Sequence, residues 1–305
     1  MKRHDVGRRA AAVAIGLLCD RMVGEPPAAV HPVAGFGALM GHVESAVYDD
    51  THAAGAVYAL LGTAIGAVTG ALARSTGFAV GVSVAGHELR RAAWSVRDAL
   101  LIGDLAQARA LLPALVGRDP SSLDESGVAS AVVESLAENS VDAVVAPALW
   151  AFAAGAPGAL AYRAVNTMDA MVGHRSDRYA RFGTWSARAD DAANYVPARV
   201  TAVLVGIARA RHAPRVWQAV RDGAPLHPSP NAGVAEAAFA GALGVQLGGA
   251  LRYGERVEHR PILGAGPRPQ PKDISRAVRL ADDVELLLAG AAGAVAVANS
   301  PRWRR

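Results

Sequence analysis

The feature of this sequence that most restricts its fold is a long apolar run without any charge. Residues Ala53–Ala73 read AAGAVYALLGTAIGAVTGALA, and about 20 apolar residues suffice for a helix to cross a bilayer. A second uncharged stretch, Ala143–Tyr162, is about as long, but Pro147 and Pro157 should kink or break a helix there. The sequence therefore predicts membrane-spanning helices, some of them interrupted.

The composition supports this prediction, because 52% of the residues are hydrophobic and only 19% are charged. Aromatic residues make up 5%, so the apolar mass is mostly Ala, Val, Leu and Gly, which suit close helix packing in lipid. Shorter apolar segments at Thr76–Ala85, Ala237–Leu251 and Leu286–Ala298 raise the expected number of spans to roughly three to five. The alternative is a large, Ala-rich soluble helical protein.

The rest of the chain also favours helices. Period-2 alternation with β-branched or aromatic residues, which is typical of strands, is absent. His87–Leu112 has helical periodicity with Arg and Asp on one side, which predicts an amphipathic helix outside the bilayer. Residues 261–272 are rich in Pro and Gly and form a loop before the last helix. The predicted fold is all-α, a polytopic helical membrane protein with broken helices, as one membrane-embedded domain over residues 1–305.

Several functional classes lose their usual support. The net charge of +4 is mostly arginine, spread along the chain among acids, so we predict no nucleic-acid interface. The lone Cys19, which we expect to be buried, excludes an internal disulfide and a Cys-based zinc site. The sequence contains no P-loop, G-x-S-x-G, H-E-x-x-H or C-x-x-C motif.

Acidic and amide side chains recur at helical spacing beside the apolar segments. The run VESLAENSVDAVVAPALW places Glu134, Glu138 and Asp142 four residues apart, on one face of a helix, where like charges repel. Carboxylates at such spacing suit Mg²⁺, which prefers oxygen ligands. The candidate metal ligands are Glu134, Glu138, Asp142, Asp169, Asp190 and Asp191. For any one of these acids, helix capping or a surface ion pair with a nearby arginine is the ordinary alternative.

Other polar residues suggest substrate binding. Arg163, Arg175 and Arg178 are suited to bidentate phosphate binding, although arginines also flank membrane spans. His31 is a candidate acid–base group, or a plain loop histidine. Asn231 is a candidate for substrate binding, with capping of the helix that follows it as the ordinary alternative. Glu236 is a second candidate, because it stands inside an otherwise apolar helix.

Five polar blocks in a fixed order together resemble one family. They read GEPP…HPV, AENSVDAVVAPALW, YRAVNTMDAMVGHRSDRY, SARADDAANYVPAR and SPNAGVAEAAFAGALGVQLGG. This order is similar to that of the CobD/CbiB family of cobalamin biosynthesis, the adenosylcobinamide-phosphate synthases. The resemblance extends from about Asp20 to Asp273–Leu280. No single block would make it specific.

The resemblance implies a multi-pass protein of the inner cell membrane. Such an enzyme would join the free propionate of adenosylcobyric acid, a corrinoid, to (R)-1-amino-2-propanol or its O-phosphate, with ATP as co-substrate. The resemblance also allows a complex with other corrinoid-pathway enzymes.

On this reading, we assign roles to the residues of the matching blocks. The six acids would hold Mg²⁺, and Glu138, Asp142 and Asp169 would act in catalysis, with Glu138 as a base toward the amine. Substrate or phosphate would be bound by His31, Asn139, Arg163, Asn166, Arg175, Arg178, Arg188, Asn194, Asn231 and Glu236. The sequence does not show where the nucleotide binds.

Two other functions remain open from the residues alone. The N-x-x-D and D-D-x-x-N patterns also resemble those of membrane prenyltransferases, in which acids bind Mg²⁺-diphosphate. A corrinoid transporter with broken helices and polar groups at mid-membrane is the second.

Overall fold

The computed structural model describes residues 3–27, 31–117, 119–174, 176–253 and 256–300, with backbone only at 250–253 and 256–259. The described chain is almost entirely helical. The helices are α1 (Arg3–Val23), α2 (Pro32–Val47), α3 (His52–Ala73), α4 (Thr76–Ser83), α5 (Gly86–Leu101), α6 (Leu105–Leu111), α7 (Glu125–Ser140), α8 (Ala146–Met168), α9 (Thr184–Ala208), α10 (Ala213–Gly223), α11 (Ala232–Leu243) and α12 (Pro271–Ala298). Two strands, β1 (Leu247–Tyr253) and β2 (Arg256–Leu263), form an antiparallel hairpin.

The chain divides into two compact units, each made of separate segments. The first unit comprises Met1–Ala85, Asp142–Asn194 and Leu288–Arg305. The second comprises Gly86–Val141 and Tyr195–Leu287. That the whole chain forms one membrane-embedded domain stays a prediction.

Helices α3 and α8 pack closely in the first unit because glycines line the α3 side of their contact. A Cβ atom added at Gly66 would lie 2.6 Å from the backbone oxygen of Leu160. One added at Gly70 would lie 2.6 Å from the Cα atom of Pro157. Glycines spaced four residues apart let two backbones approach each other, which is a common packing mode in membranes. The uncharged run at Ala53–Ala73 thus has a packing face.

The predicted interruption of the second apolar stretch is present. A π-helical segment at Val141–Val145 precedes α8, and Pro147 lies in the first turn of that helix. Within α8, Gly155 has non-helical backbone angles (φ 72°, ψ −152°), two residues before Pro157. Arg9 of α1 donates a hydrogen bond to the backbone oxygen of Ala153, so a side chain satisfies a carbonyl beside the break.

The first unit has a core of Met, Tyr, Phe and Val side chains. Tyr58 and Phe182 are fully buried with their ring centroids 5.1 Å apart, and Met40 and Met168 belong to the same cluster. Cys19, which we expected to be buried, is exposed on α1.

The second unit contains the predicted amphipathic segment as two helices. Gly103, in a left-handed conformation with φ 78°, separates α5 from α6, and the side chain of Asp104 caps α6 at the backbone N–H of Gln107. Helix α5 buries Leu89, Ala93 and Val96 on one face, as its periodicity predicts.

The hairpin was not predicted. The apolar segment Ala237–Leu251 begins as helix α11, but Gly244 adopts a left-handed conformation with φ 68° and ends that helix. The chain then continues as β1, in which Leu247 pairs with Leu263 of β2. An apolar run of this kind reads equally as buried helix or strand, so its sequence alone did not reveal the change.

Two helical stretches of the described chain are long and apolar enough to cross a membrane, His52–Ala73 and Glu125–Gly173. Only 28% of the apolar window of the first is buried within the protein, against 61% for the second. The second has 49 residues and contains the π-helical segment and the break at Gly155, so it is not one straight helix. The fold class is all-α, as predicted, and consistent with a membrane protein; the number of spans stays a prediction.

Candidate active site

The predicted site residues are divided between the two units. The first unit holds His31, Asp142, Arg163, Asn166, Asp169, Arg178, Arg188, Asp190, Asp191 and Asn194. The second holds Glu134, Glu138, Asn139, Asn231 and Glu236. Arg175 lies outside the described residues.

Asp190 is at the centre of a hydrogen-bonded network in the first unit. Asn166 Nδ2 donates to Asp190 Oδ1 at 3.2 Å, and Asn194 Nδ2 donates to Asp190 Oδ2 at 3.0 Å. Asp190 and Asn194 lie one turn apart on α9, as their spacing predicts, whereas Asn166 comes from α8. Two amide groups therefore hold both carboxylate oxygens and fix the orientation of the carboxylate.

Tyr162 and Arg163 extend this network. The hydroxyl of Tyr162 donates to Asn194 Oδ1 at 2.9 Å and also lies 3.2 Å from the backbone oxygen of Asp142. Arg163 Nη1 donates to Asn166 Oδ1 at 3.3 Å. Sequence reasoning did not select Tyr162, although its position four residues before Asn166 would have placed it on the same helical face.

The environment of the two neighbouring aspartates raises the pKa of both carboxyl groups. Burial raises the pKa of Asp190, and the charge of Asp191 raises it further, while the hydrogen bonds from Asn166 and Asn194 oppose the rise. Burial also raises the pKa of Asp191. Carboxyl groups with raised pKa values are often found at functional sites, because they can exchange protons nearer to neutral pH.

Two other predicted acids lie in π-helical segments. Asp142 belongs to Val141–Val145 and Asp169 to Asp169–Gly173. The Oδ1 atom of Asp169 lies so close to Gly173 that an added Cβ atom there would collide with it. Such wide turns often occur at functional positions in helices.

The remaining first-unit arginines have other contacts. Arg178 Nη2 pairs with Glu44 Oε1 at 2.9 Å, and the Arg178 guanidinium lies 4.1 Å from the ring centroid of Tyr48. The Arg188 guanidinium lies 5.6 Å from the ring centroid of Trp185. Arg178 thus fastens the turn after α8 to α2, and the phosphate-binding roles of both arginines stay predictions.

His31 caps helix α2. Its Nδ1 accepts a hydrogen bond from the backbone N–H of Val33 at 3.2 Å, and its Nε2 lies 3.1 Å from Glu25 Oε2. Burial lowers the pKa of His31, and the positive charge of Arg163 lowers it further. The neutral imidazole is therefore favoured, with a capping role that the sequence did not indicate.

In the second unit, the predicted residues of α7 differ in their surroundings. Glu134 is buried, and its Oε1 accepts a hydrogen bond from the backbone N–H of Gly248 at 2.9 Å. Asn139 Nδ2 donates to the backbone oxygen of Ser135 at 3.0 Å, and Glu138 is exposed. Glu134 therefore links α7 to the hairpin, in a bond that only the tertiary structure reveals.

Glu236 is part of a buried charged cluster in the same unit. It is only 1% exposed, and its carboxylate oxygens lie 3.8 Å from Nε2 of His227 and 3.9 Å from Nη1 of Arg260. A carboxylate inside an apolar helix needs such partners to offset the cost of burial. Sequence reasoning missed His227, which stands just before the polar block that begins at Ser229.

Asn231 occupies the capping position of α11 but uses its side chain elsewhere. Its Oδ1 accepts a hydrogen bond from Arg199 Nη1 at 2.9 Å. Instead, Ser229 Oγ accepts from the backbone N–H of Ala232 at 3.1 Å. The alternative capping role of Asn231 is therefore wrong, because Arg199 competes for the same oxygen.

A six-carboxylate magnesium site does not fit the donors. Among the described residues, no group of three or more His, Cys, Asp or Glu side chains is arranged to hold a metal ion. Mg²⁺ often binds through one or two carboxylates and completes its shell with water and substrate phosphate, so a smaller magnesium site stays a prediction. Asp142, Asp169 and Asp191 are partly exposed oxygen donors of this kind in the first unit.

Comparison with known proteins gives the chain a family. A family model described as CobD/Cbib protein matches residues 13–281. The chain belongs to the CobD/CbiB family. The resemblance inferred from the five polar blocks is therefore confirmed.

Several curated proteins are similar to the chain over most of its length. It is 47% identical to "Cobalamin biosynthesis protein CobD" of Mycobacterium tuberculosis (strain ATCC 25618 / H37Rv), over 97% of each chain. It is 45% identical to a protein of the same name from Chromobacterium violaceum, over 87% of this chain and 90% of the relative. It is 40% identical to "Cobalamin biosynthesis protein CbiB" of Salmonella arizonae, over 87% and 91%. No solved structure matches the chain.

Proposed function

We propose that this chain is an ATP-dependent amide ligase of cobalamin biosynthesis. It joins the propionate carboxylate of adenosylcobyric acid to (R)-1-amino-2-propanol or its O-phosphate, and the product is adenosylcobinamide or its phosphate. The names of its CobD and CbiB relatives support a biosynthetic role on a corrinoid. The observation that carries the choice of residues is the partly buried Asp190, held by two amide groups beside Tyr162.

The reaction requires two activations, because a carboxylate and an ammonium do not condense at neutral pH. Transfer of the terminal phosphoryl group of ATP to the propionate gives an acyl phosphate and ADP. Loss of a proton from the ammonium frees the nitrogen lone pair to attack the acyl carbon. The C–N bond then forms as the bond from that carbon to the phosphate oxygen breaks, releasing inorganic phosphate. The protein contributes positioning and charge stabilisation.

Asp190 is suited to take the proton from the amine. A general base works best when its pKa approaches the working pH, and burial raises the pKa of Asp190 in that direction. Asn166 and Asn194 keep its carboxylate oriented. Glu138, the base expected from the sequence, is exposed on α7 and is the alternative assignment.

Magnesium would be held in the first unit by one or two of Asp142, Asp169 and Asp191, with water and ATP oxygens as the other ligands. When bound, it neutralises charge on the phosphoryl group during transfer. Arg163, beside the network, would orient an anionic group of the substrate through its guanidinium.

The test is amide formation by the purified, full-length protein in detergent. Adenosylcobyric acid is incubated with ATP, Mg²⁺ and either amine form, and the product is identified by mass spectrometry. We expect amide only when ATP is present, and a loss of about 10²–10⁴-fold in kcat for Asp190→Asn. Asp98→Asn, at an exposed ion pair with Arg97, is the control and should leave kcat unchanged.

Two results would contradict parts of this proposal. If the wild type forms no amide with either amine, the assigned reaction is wrong. If Asp190→Asn keeps the wild-type rate while Glu138→Gln loses it, the reaction stands but the base is Glu138.

A further inference from the structure

A cavity in the first unit is lined by Arg163. It has a volume of about 230 Å³ and is lined by residues of α2, α3, α4 and α8. Most of its wall is apolar, with Phe36, Leu39, Ile65 and Leu160 contributing side chains, and Arg163 is the charged residue in its lining. We name it the Arg163 pocket.

The pocket presents positive charge. The Nε atom of Arg163 is buried and, within the part of the chain that the structure describes, has no hydrogen-bond acceptor, while Nη1 bonds Asn166. The first turn of α2, at Pro32 and Val33, also lines the pocket, and a helix N-terminus carries partial positive charge. Because the buried Nε has almost no accessible surface, an anion in the pocket would meet the Nη side of the guanidinium, whose positive charge would stabilise it.

The size of the pocket restricts the ligand. Sites for drug-sized molecules occupy about 300–1,000 Å³, so this cavity is too small for a corrin ring or a complete nucleotide. The guanidinium would repel a free amine, which is a cation at neutral pH. The chemistry fits a compact anion with a short aliphatic part that contacts Phe36, Leu39 and Ile65.

We propose that the Arg163 pocket is the binding site for a compact phosphate monoester, which, if the proposed function holds, is the phosphorylated amine substrate. Its phosphate lies against Arg163 and its aliphatic part against the apolar wall. Arg163 is joined to Asp190 through Asn166, so a phosphate bound at Arg163 would lie beside the hydrogen-bonded network of the candidate active site.

Two variants test the site in different ways. Arg163→Met removes the guanidinium. Gly35→Leu fills the cavity and keeps Arg163, because Gly35 lines the pocket and an added Cβ atom there meets nothing within 4 Å; leucine also favours the helix more than glycine does. The matched controls are Arg8→Met, at an exposed arginine, and Gly41→Leu, at a second open glycine of α2 outside the pocket.

The measurement is binding of the O-phosphate of (R)-1-amino-2-propanol to full-length protein in detergent, by calorimetry without ATP or corrinoid. We expect Arg163→Met to raise Kd by about tenfold to a hundredfold, the value of a charge-assisted hydrogen bond. Gly35→Leu should raise Kd by a similar factor, because its side chain occupies the cavity. The two controls should bind as the wild type does. Unchanged Kd in Gly35→Leu, or in a folded Arg163→Met protein, would overturn the assignment.

A second arm distinguishes a soluble ester from a lipid headgroup, which offers the same chemistry. The titration is repeated in micelles containing phosphatidic acid. We expect the Kd of the small ester to change less than twofold. If the ester does not bind while phosphatidic acid binds in a way that depends on Arg163, the pocket belongs to lipid and the proposal is overturned.

Failure of this inference is separable from failure of the proposed function. Amide formation by wild type with an unchanged KM for the phosphorylated amine in both pocket variants would reject the pocket alone. Ester binding that both variants weaken, in a protein that forms no amide, would keep the pocket and reject the reaction.

Discussion

At the scale of single residues, Asp190 shows how position decides chemistry. The sequence places it next to Asp191 and four residues before Asn194, which is compatible with capping, surface ion pairing or a site. In the folded chain, burial raises its pKa, and amide groups from α8 and α9 hold its two oxygens. An acid desolvated in this way reduces stability at neutral pH, a cost that active sites commonly carry.

This cost predicts a pH-dependent stability difference between Asp190→Asn and wild type. Because the folded-state pKa is raised, ionising Asp190 destabilises the wild type as pH rises from the unfolded value, about 3.9, through the folded value. The variant lacks this titration, so its free energy of unfolding relative to wild type should increase between pH 4 and pH 7.5, by about 1.4 kcal/mol for each unit of the pKa shift, and its relative melting temperature should rise accordingly. Thermal scans in detergent at a series of pH values measure this difference between the variant and the wild type. A difference that stays constant with pH would contradict the prediction.

At the scale of helices, α3 and α8 can pack closely because α3 has glycines, which carry no side chain, where it contacts α8. Gly62, Gly66 and Gly70 lie one turn apart on α3, and a Cβ atom on any of them would meet Met168, Leu160 or Ala156 of α8. Leu60 and Leu72 point outward from the same helix and are exposed. The helix therefore has a small-residue packing face and an outer leucine face, which is the reverse of a water-soluble amphipathic helix.

We expect Gly70→Leu to separate these two helices. The new side chain would meet backbone atoms of Ala156 and Pro157, which cannot rotate away, so destabilisation should reach or exceed the usual cost of overpacking, about 1–3 kcal/mol. Gly81→Leu on α4, where an added Cβ atom meets nothing within 4 Å, is the control. Size-exclusion chromatography after graded heating measures the fraction of protein that stays folded. An equal loss of folded protein in Gly70→Leu and Gly81→Leu would contradict the packing argument.

At the scale of the whole molecule, exposed apolar side chains on α3 are consistent with contact with lipid. Leu60 is 71% exposed and Leu72 is 74% exposed, whereas soluble proteins rarely leave such side chains together on one face. The location in the inner membrane and the number of spans stay predictions.

Leu60→Arg tests whether Leu60 contacts lipid, because an arginine is tolerated on a surface that faces water and is costly on one that faces the hydrocarbon core. Near the centre of a span, arginine costs about 2.5–3.5 kcal/mol on insertion scales, so the variant should be inserted less and be partly extracted by alkaline carbonate. Leu60→Met is the control and should stay in the membrane pellet. If Leu60→Arg is retained as fully as wild type, α3 does not contact lipid at Leu60.

The sequence by itself determined the helical fold class, the interruption near Pro157 and the family, because these depend on local patterns: apolar runs, helix-breaking residues and the order of polar blocks. It also placed Asp190 and Asn194 on one helical face, since residues four apart must share it. Only the tertiary structure decided that Asn166 and Tyr162 contact that face. The same is true of the hydrogen bond from the backbone N–H of Gly248 to Glu134 and of the one from Arg199 to the side chain of Asn231. Helical spacing fixes neighbours within a helix, but the neighbours between helices depend on packing, where small residues such as Gly66 set the distance.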